Sequence, residues 1–214
     1  MSWFMNTCVL LFSLEQVKTN YIPMKAILKL KHWQLFLILF AIPFGIQIYA
    51  AISMINGRGP QFFFSVMPPV LVLTMTMYFC WFYIMGSALY ELRPRGVKLS
   101  LTRFRLLMFV PVIYAVVVFG FLFLYISGNL SGADLRPGPW IPFVILPLHL
   151  FSMFCVLHTL YFLAKALKTA ETQQEVRFGD FAGEFFMLWF FPVGIWIIQP
   201  RINKLFSQNA VQAY

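Results

Sequence analysis

Four stretches of this chain, Trp33 to Ile55, Phe62 to Gly86, Leu106 to Ser127 and Trp140 to Ala164, run for 22 to 25 residues without Asp, Glu, Lys or Arg. A helix rises about 1.5 Å per residue, so each run is long enough to cross a hydrocarbon core of about 30 Å. A soluble fold of 214 residues could not hide that much apolar surface: 61% of the chain is hydrophobic and 11% charged, against about 45 to 50% and about 25% in ordinary soluble domains. Lipid must cover the difference. The expected fold is an all-α membrane protein, with four transmembrane helices plus a C-terminal re-entrant or interfacial helical segment.

Charge orients the runs. The net charge of +9 does not point to nucleic acid, because the basic residues sit in short segments beside apolar runs, where they control topology. With a cytoplasmic amino end, one side carries Lys18, Lys25, Lys29 and Lys31, then Arg93, Arg95, Lys98, Arg103 and Arg105, then Lys165, Lys168, Arg177, Arg201 and Lys204. The other side keeps only Arg58 and Arg136 of the 16 basic residues. That bias predicts four crossings with both termini cytoplasmic. A fifth crossing at Phe185 to Ile198 would move Arg201 and Lys204 outside and weaken it. Trp33, Tyr83 and Tyr161 fall toward the inner ends of the runs, and Tyr49, Tyr125 and Trp140 toward the outer ends, where amphipathic rings settle.

The chain divides into residues 1–23, a four-span domain over 24–178 and a membrane-associated segment over 179–214. The first part has an apolar run, Trp3 to Leu14, without a basic region before it or a small-residue cleavage site after it. It reads as an upstream extension or an interface-lying segment, with Met24-Lys25 a natural start. The outer loops around Asn56 to Gln61 and Gly128 to Pro139 are short and rich in Gly and Pro, leaving no external domain. The inner loop LYELRPRGVKLSLTRFR carries Arg93, Arg95, Lys98, Arg103 and Arg105. It is a patch for anionic lipid headgroups, at about 1 kcal/mol per basic residue, or for an acidic protein partner. Cys8, Cys80 and Cys155 have neither disulfide nor zinc spacing, and no cofactor or metal is expected.

The terminal segment departs from simple spans. Leu163 to Glu175 continues the fourth helix, Gly179 ends it, and Asp180 is placed to cap a helix begun at Phe181, with Glu184 near its positive end. Pro192 would release the carbonyl of Leu188, and Gly194 tolerates a sharp bend. A bent hairpin would bring Arg201 back to Asp180 and Glu184, where a charge pair closes it. A helix lying in the interface plane is the alternative.

The run GEFFMLWFFPVGIWIIQPRIN, Gly183 to Asn203, preceded by FGDFA, resembles the carboxy-terminal signature of small polytopic bacterial inner-membrane proteins of unassigned function. The resemblance implies a multi-pass protein of a bacterial inner membrane and brings no catalytic residues. Gln199, Arg201 and Asn203 lie within it.

Polar groups in the spans supply the remaining candidates. His149 falls near mid-membrane, with Pro147 before it and Ser152 one turn on. It reads as the centre of a small polar site or as a neutral imidazole hydrogen-bonded across the bundle. Gln47 is a further intramembrane polar group. Three functions fit: a non-enzymatic accessory or interaction protein presenting the basic loop and C-terminal segment to a membrane or protein partner, a small oligomeric transporter or channel using Gln47 and His149, and a membrane enzyme. No HExxH, paired intramembrane carboxylates or Ser-centred elbow favours the last, so the expected protein is not an enzyme.

Overall fold

The computed structural model describes residues 28–126 and 141–211. Every regular element among them is helical: α1 (His32–Phe36), α2 (Ile42–Ser53), α3 (Gly59–Glu91), α4 (Leu101–Ile126), α5 (Ile141–Thr172), α6 (Phe178–Trp189) and α7 (Phe191–Val211). Three helical stretches among the described residues are apolar and long enough to cross a membrane: His32–Glu91, Leu101–Tyr125 and Phe143–Thr172. The expected extension at residues 1–23 lies outside the described residues, as does the outer loop at Gly128 to Pro139.

The first stretch covers 60 residues and is not straight. A wide turn at Leu37–Ala41 joins α1 to α2; Pro43 has no N–H to give Leu39, and its ring would crowd that carbonyl, so the ladder opens just there. After α2 the chain reverses at Met54–Arg58, where Asn56 and Gly57 leave helical geometry. Gly57 and Gly59 take φ of 96° and 77°, values that a Cβ would oppose. Arg58 pins the reversal by hydrogen-bonding the Tyr49 hydroxyl at 3.3 Å and lying 5.0 Å from the Phe62 ring centre. α2 then packs along α3.

α3, α4 and α5 form an up-down-up trio. Phe104 of α4 stacks on Phe162 of α5 at 4.3 Å, and Tyr83 of α3 faces Phe109 of α4. The three helices come closest where Gly86 meets Phe104 and Leu163: a Cβ at Gly86 would stand 2.5 Å from the Phe104 ring and 2.9 Å from Leu163. Glycine is required there by proximity, not by conformation. Buried residues crowd around this layer, including Phe82, Met85, Leu89, Met108, Leu160 and Leu167. Toward the other end burial stops on α4 and α5, where every residue of 121–125 and 143–151 is exposed.

Two expectations at the end of α5 are corrected. The helix stops at Thr172, short of Glu175 and Gly179, because Gln173 turns to φ 54° and its amide donates to the carbonyls of Ala170 and Leu92, at 2.8 and 3.1 Å. The next helix starts at Phe178 instead of Phe181, so Gly179 lies inside it and Asp180 stands at its third position. The Asp180 carboxylate still serves the helix start, accepting from the Arg177 N–H at 2.8 Å, which is half of a capping box.

Candidate functional site

α6 and α7 form a hairpin packed on the Gly86 end of the trio. The chain turns at Phe190, whose ψ of 57° breaks the helix, and its carbonyl accepts from the N–H groups of Val193 and Gly194 at 3.0 Å. Pro192 frees the Leu188 carbonyl as expected from sequence, and Tyr78 of α3 takes it, its hydroxyl donating at 3.2 Å. Gly194 does not supply the bend. It supplies contact: a Cβ there would sit 1.8 Å from the Met187 carbonyl oxygen, so α6 and α7 touch backbone to backbone directly after the turn. Phe191 lies edge-on to Tyr78 at 4.2 Å and near Trp81, which sets the hairpin tip against α3.

One face of the hairpin is buried and follows helical spacing: Phe181, Glu184 and Leu188 on α6, then Ile195, Ile198, Gln199 and Ile202 on α7. Glu184 on that face and the half-buried Arg201 beside it build a clamp. Arg201 binds both carboxylate oxygens of Glu171 on α5, its Nε donating at 2.7 Å, and it also donates to Glu184 Oε1 at 2.7 Å. Lys168 of α5 approaches the same Glu184 oxygen at 3.4 Å. The Glu184 side chain is only 8% exposed. Burial pushes its carboxyl upward, but hydrogen bonding from Arg201 and the charges of Arg201 and Lys168 outweigh that and hold it below the usual carboxylate range. The hydrogen bond to Glu171 is the main influence keeping Arg201 protonated, against the opposing effect of its partial burial. Two cations and two carboxylates therefore join α5, α6 and α7 through one nearly neutral knot.

Gln199 and Asn203, one turn apart on α7, hold a different part of the chain. The Gln199 amide nitrogen faces the carbonyls of Leu28 and Leu30 and the Asn203 amide oxygen, each at 3.1 Å. Asn203 in turn donates to the Leu30 carbonyl at 3.2 Å. Packing of His32 and Phe36 against Trp196 continues the attachment, with centroids 4.7 and 5.6 Å apart. Within QPRIN, then, Gln199 and Asn203 fasten the entry to α1, and Arg201 fastens α5 and α6.

The expected closure of Arg201 with Glu184 is present. Asp180 takes no part in it, and Glu171 does. Glu171 was not singled out from sequence, although a signal existed: the chain has only 7 acidic residues, and Glu171, Glu175, Asp180 and Glu184 cluster beside the signature. In the basic patch, Arg93 folds back onto its own helix end, donating to the Tyr90 carbonyl at 2.7 Å. Arg105 lies 5.4 Å from the Tyr83 ring centre. Arg95, Lys98 and Arg103 are exposed on the same end of the bundle.

The intramembrane candidates separate. His149 Nδ1 lies 3.1 Å from the Tyr114 hydroxyl, a hydrogen bond between α4 and α5, with Ser152 buried one turn below. Gln47 lies on α2 in the stripe of Pro43 and Ala50 that faces α3, away from that pair. Against family models, curated proteins and solved structures, the chain finds no match.

Proposed function

We propose that the chain is a four-span protein of a bacterial inner membrane, with both ends cytoplasmic, that acts as a non-enzymatic interaction protein through its basic face. The carrying observation is the one-sided construction: the described basic residues other than Arg58 gather at the end where α3, α4 and α5 close together and where the hairpin is clamped. The reversal at Gly57 divides the 60-residue stretch into two antiparallel crossings, which with α4 and α5 makes four.

The hairpin supplies the re-entrant element. Moving inward, the first charges are Glu91 on α3 and Lys165 on α5, and Arg105 is the last on α4 before its uncharged run. The Gly86, Phe104 and Leu163 layer therefore lies near the inner boundary of the hydrocarbon. Tyr78, which holds the hairpin tip, is eight residues further out, about 12 Å along the helix. Phe186, Trp189, Phe190, Val193 and Ile197 are exposed on the hairpin's other face. An apolar face of that size belongs in lipid, and a hairpin buried on one side against protein is the form in which irregular backbone is tolerated at depth. Its depth stays below half of a core of about 30 Å.

The clamp uses Glu184 and Arg201 internally, and Gln199 and Asn203 hold the entry to α1, which leaves Arg95, Lys98 and Arg103 as the groups free to meet anionic headgroups or an acidic protein. Purification of a tagged chain from its native membrane in mild detergent, with native mass spectrometry, tests the reading. A second protein in fixed ratio, lost when Arg95, Lys98 and Arg103 are all changed to Glu, is the expected result. Recovery of the chain alone, unchanged by those substitutions, would overturn it. The Tyr114–His149 pair favours a second reading, a small transporter or channel, in which His149→Phe abolishes flux at normal protein levels.

A further inference from the structure

We infer that the crevice between the outer halves of α4 and α5 binds an uncharged lipid alcohol, whose hydroxyl meets Tyr114 and His149 at its floor. The inference rests on the membrane placement proposed above. The crevice follows from exposure: Ser152 and Ala115 are buried, whereas every side chain of 121–125 and 143–150, on all faces of both helices, is exposed. The helices are therefore packed below the pair and parted above it. The walls of the gap are apolar, with Leu122 and Phe121 on α4 and Ile145 and Leu148 on α5.

The floor is not apolar. Tyr114 and His149 satisfy one another only once, at 3.1 Å. If the tyrosine donates to Nδ1, the imidazole keeps an Nε2–H without an acceptor; if Nδ1–H donates, the tyrosine keeps its O–H and Nε2 keeps a lone pair. In either tautomer one donor and one acceptor remain open, and leaving such groups unpaired in hydrocarbon is costly. A hydroxyl both donates and accepts, so a single one answers both. His149 lies fourteen residues outward of Leu163, about 21 Å along α5, which places it about 9 Å below the outer boundary of a core of about 30 Å. A phosphate or ammonium headgroup will not descend that far because of its desolvation cost, whereas a lone hydroxyl on a long chain can. The chain of such a lipid would lie against the apolar walls.

The test uses the full chain in phospholipid vesicles, with insertion confirmed first by resistance to alkaline carbonate, so that failure of the membrane reading is seen separately. A long-chain isoprenoid alcohol carrying a diazirine is photolysed and the labelled peptides mapped. Labelling should concentrate on α4 and α5 around Tyr114 and His149 and be competed by unlabelled alcohol, but not by the hydrocarbon of the same chain. It should fall at least fivefold both in His149→Phe and in Ile145→Trp, the latter filling the gap without touching the polar pair. Labelling spread evenly over the lipid-facing helices and unchanged by either substitution would overturn the proposal. So would cross-linking of Ile145→Cys to a second copy in quantitative yield, which would place protein in the crevice.

Discussion

The two ends of this bundle are built from the same apolar residue types and held in opposite ways. At the basic end α5 is buried on almost every side from Thr159 to Ala170, enclosed by α3, α4 and the hairpin. At the other end the same helix, from Phe143 to Phe151, has no buried residue. Leu163 is fully buried and Leu146 is 60% exposed. Lipid is as apolar as leucine, so apolar burial does not drive helices together in a bilayer; close packing and hydrogen bonds do. The end that closes has both: small residues at Gly86, Ala164, Ala166 and Ala170, and a four-residue ionic clamp. Where α4 and α5 open, the described residues supply one side-chain hydrogen bond between them, Tyr114 to His149.

Substitutions at the closed end sharpen that contrast. Arg201→Ala should have the largest effect, because Glu184 is left buried with only the longer contact to Lys168. Breaking a buried pair costs about 3 to 5 kcal/mol, and the 27% exposure of the Arg201 side chain places the loss near the low end. Thermal unfolding in detergent should show it, and Glu171→Gln with Glu184→Gln should recover part of it. Gly194→Ala comes next, since the new methyl must push α6 from α7; about 2 to 3 kcal/mol is expected for overpacking, read as faster proteolysis within 178–211.

Leu163→Ala should cost about 2 kcal/mol through the cavity left in the closed layer. Leu146→Ala should cost under about 0.5 kcal/mol, as at any site without packed neighbours. Equal losses for these two leucines, measured in the same detergent, would erase the distinction between the ends.

The smallest effect is a pH dependence. Because the Glu184 carboxyl is held below the ordinary value of 4.5, the clamp stabilises fully above that value and loses its contribution as pH falls through the lowered pKa. Unfolding temperature should decline on acidification, and Glu184→Gln should flatten the decline while lowering the plateau at neutral pH. A decline of equal size in that variant would assign the acid sensitivity elsewhere.

Much of the helical layout is legible from the residues, because charge-free runs and glycine turns report directly on helix length and reversal. Pro192 likewise announces the free Leu188 carbonyl, since a missing N–H is a local fact. Its recipient was not legible: Tyr78 lies 110 positions away, and its hydroxyl is one among many. Gln199 and Asn203 share a helix face by spacing alone, yet their targets are the backbone carbonyls of Leu28 and Leu30, and backbone acceptors leave no mark in a sequence. The misplacement of the α6 start has a similar origin. Gly179 reads as a stop, but Gln173 had already ended α5 through side-chain bonds to two carbonyls.

The most direct test of the account is the position of the hairpin tip. In a chain with its native cysteines replaced, Phe190→Cys is compared with Gln208→Cys in sealed vesicles of known orientation, using a membrane-impermeant thiol reagent on each side in turn. The Gln208 position should label from the cytoplasmic side, and the Phe190 position should resist labelling from both. Labelling at Phe190 from the cytoplasmic side to the degree seen at Gln208, or from the outer side alone, would contradict it.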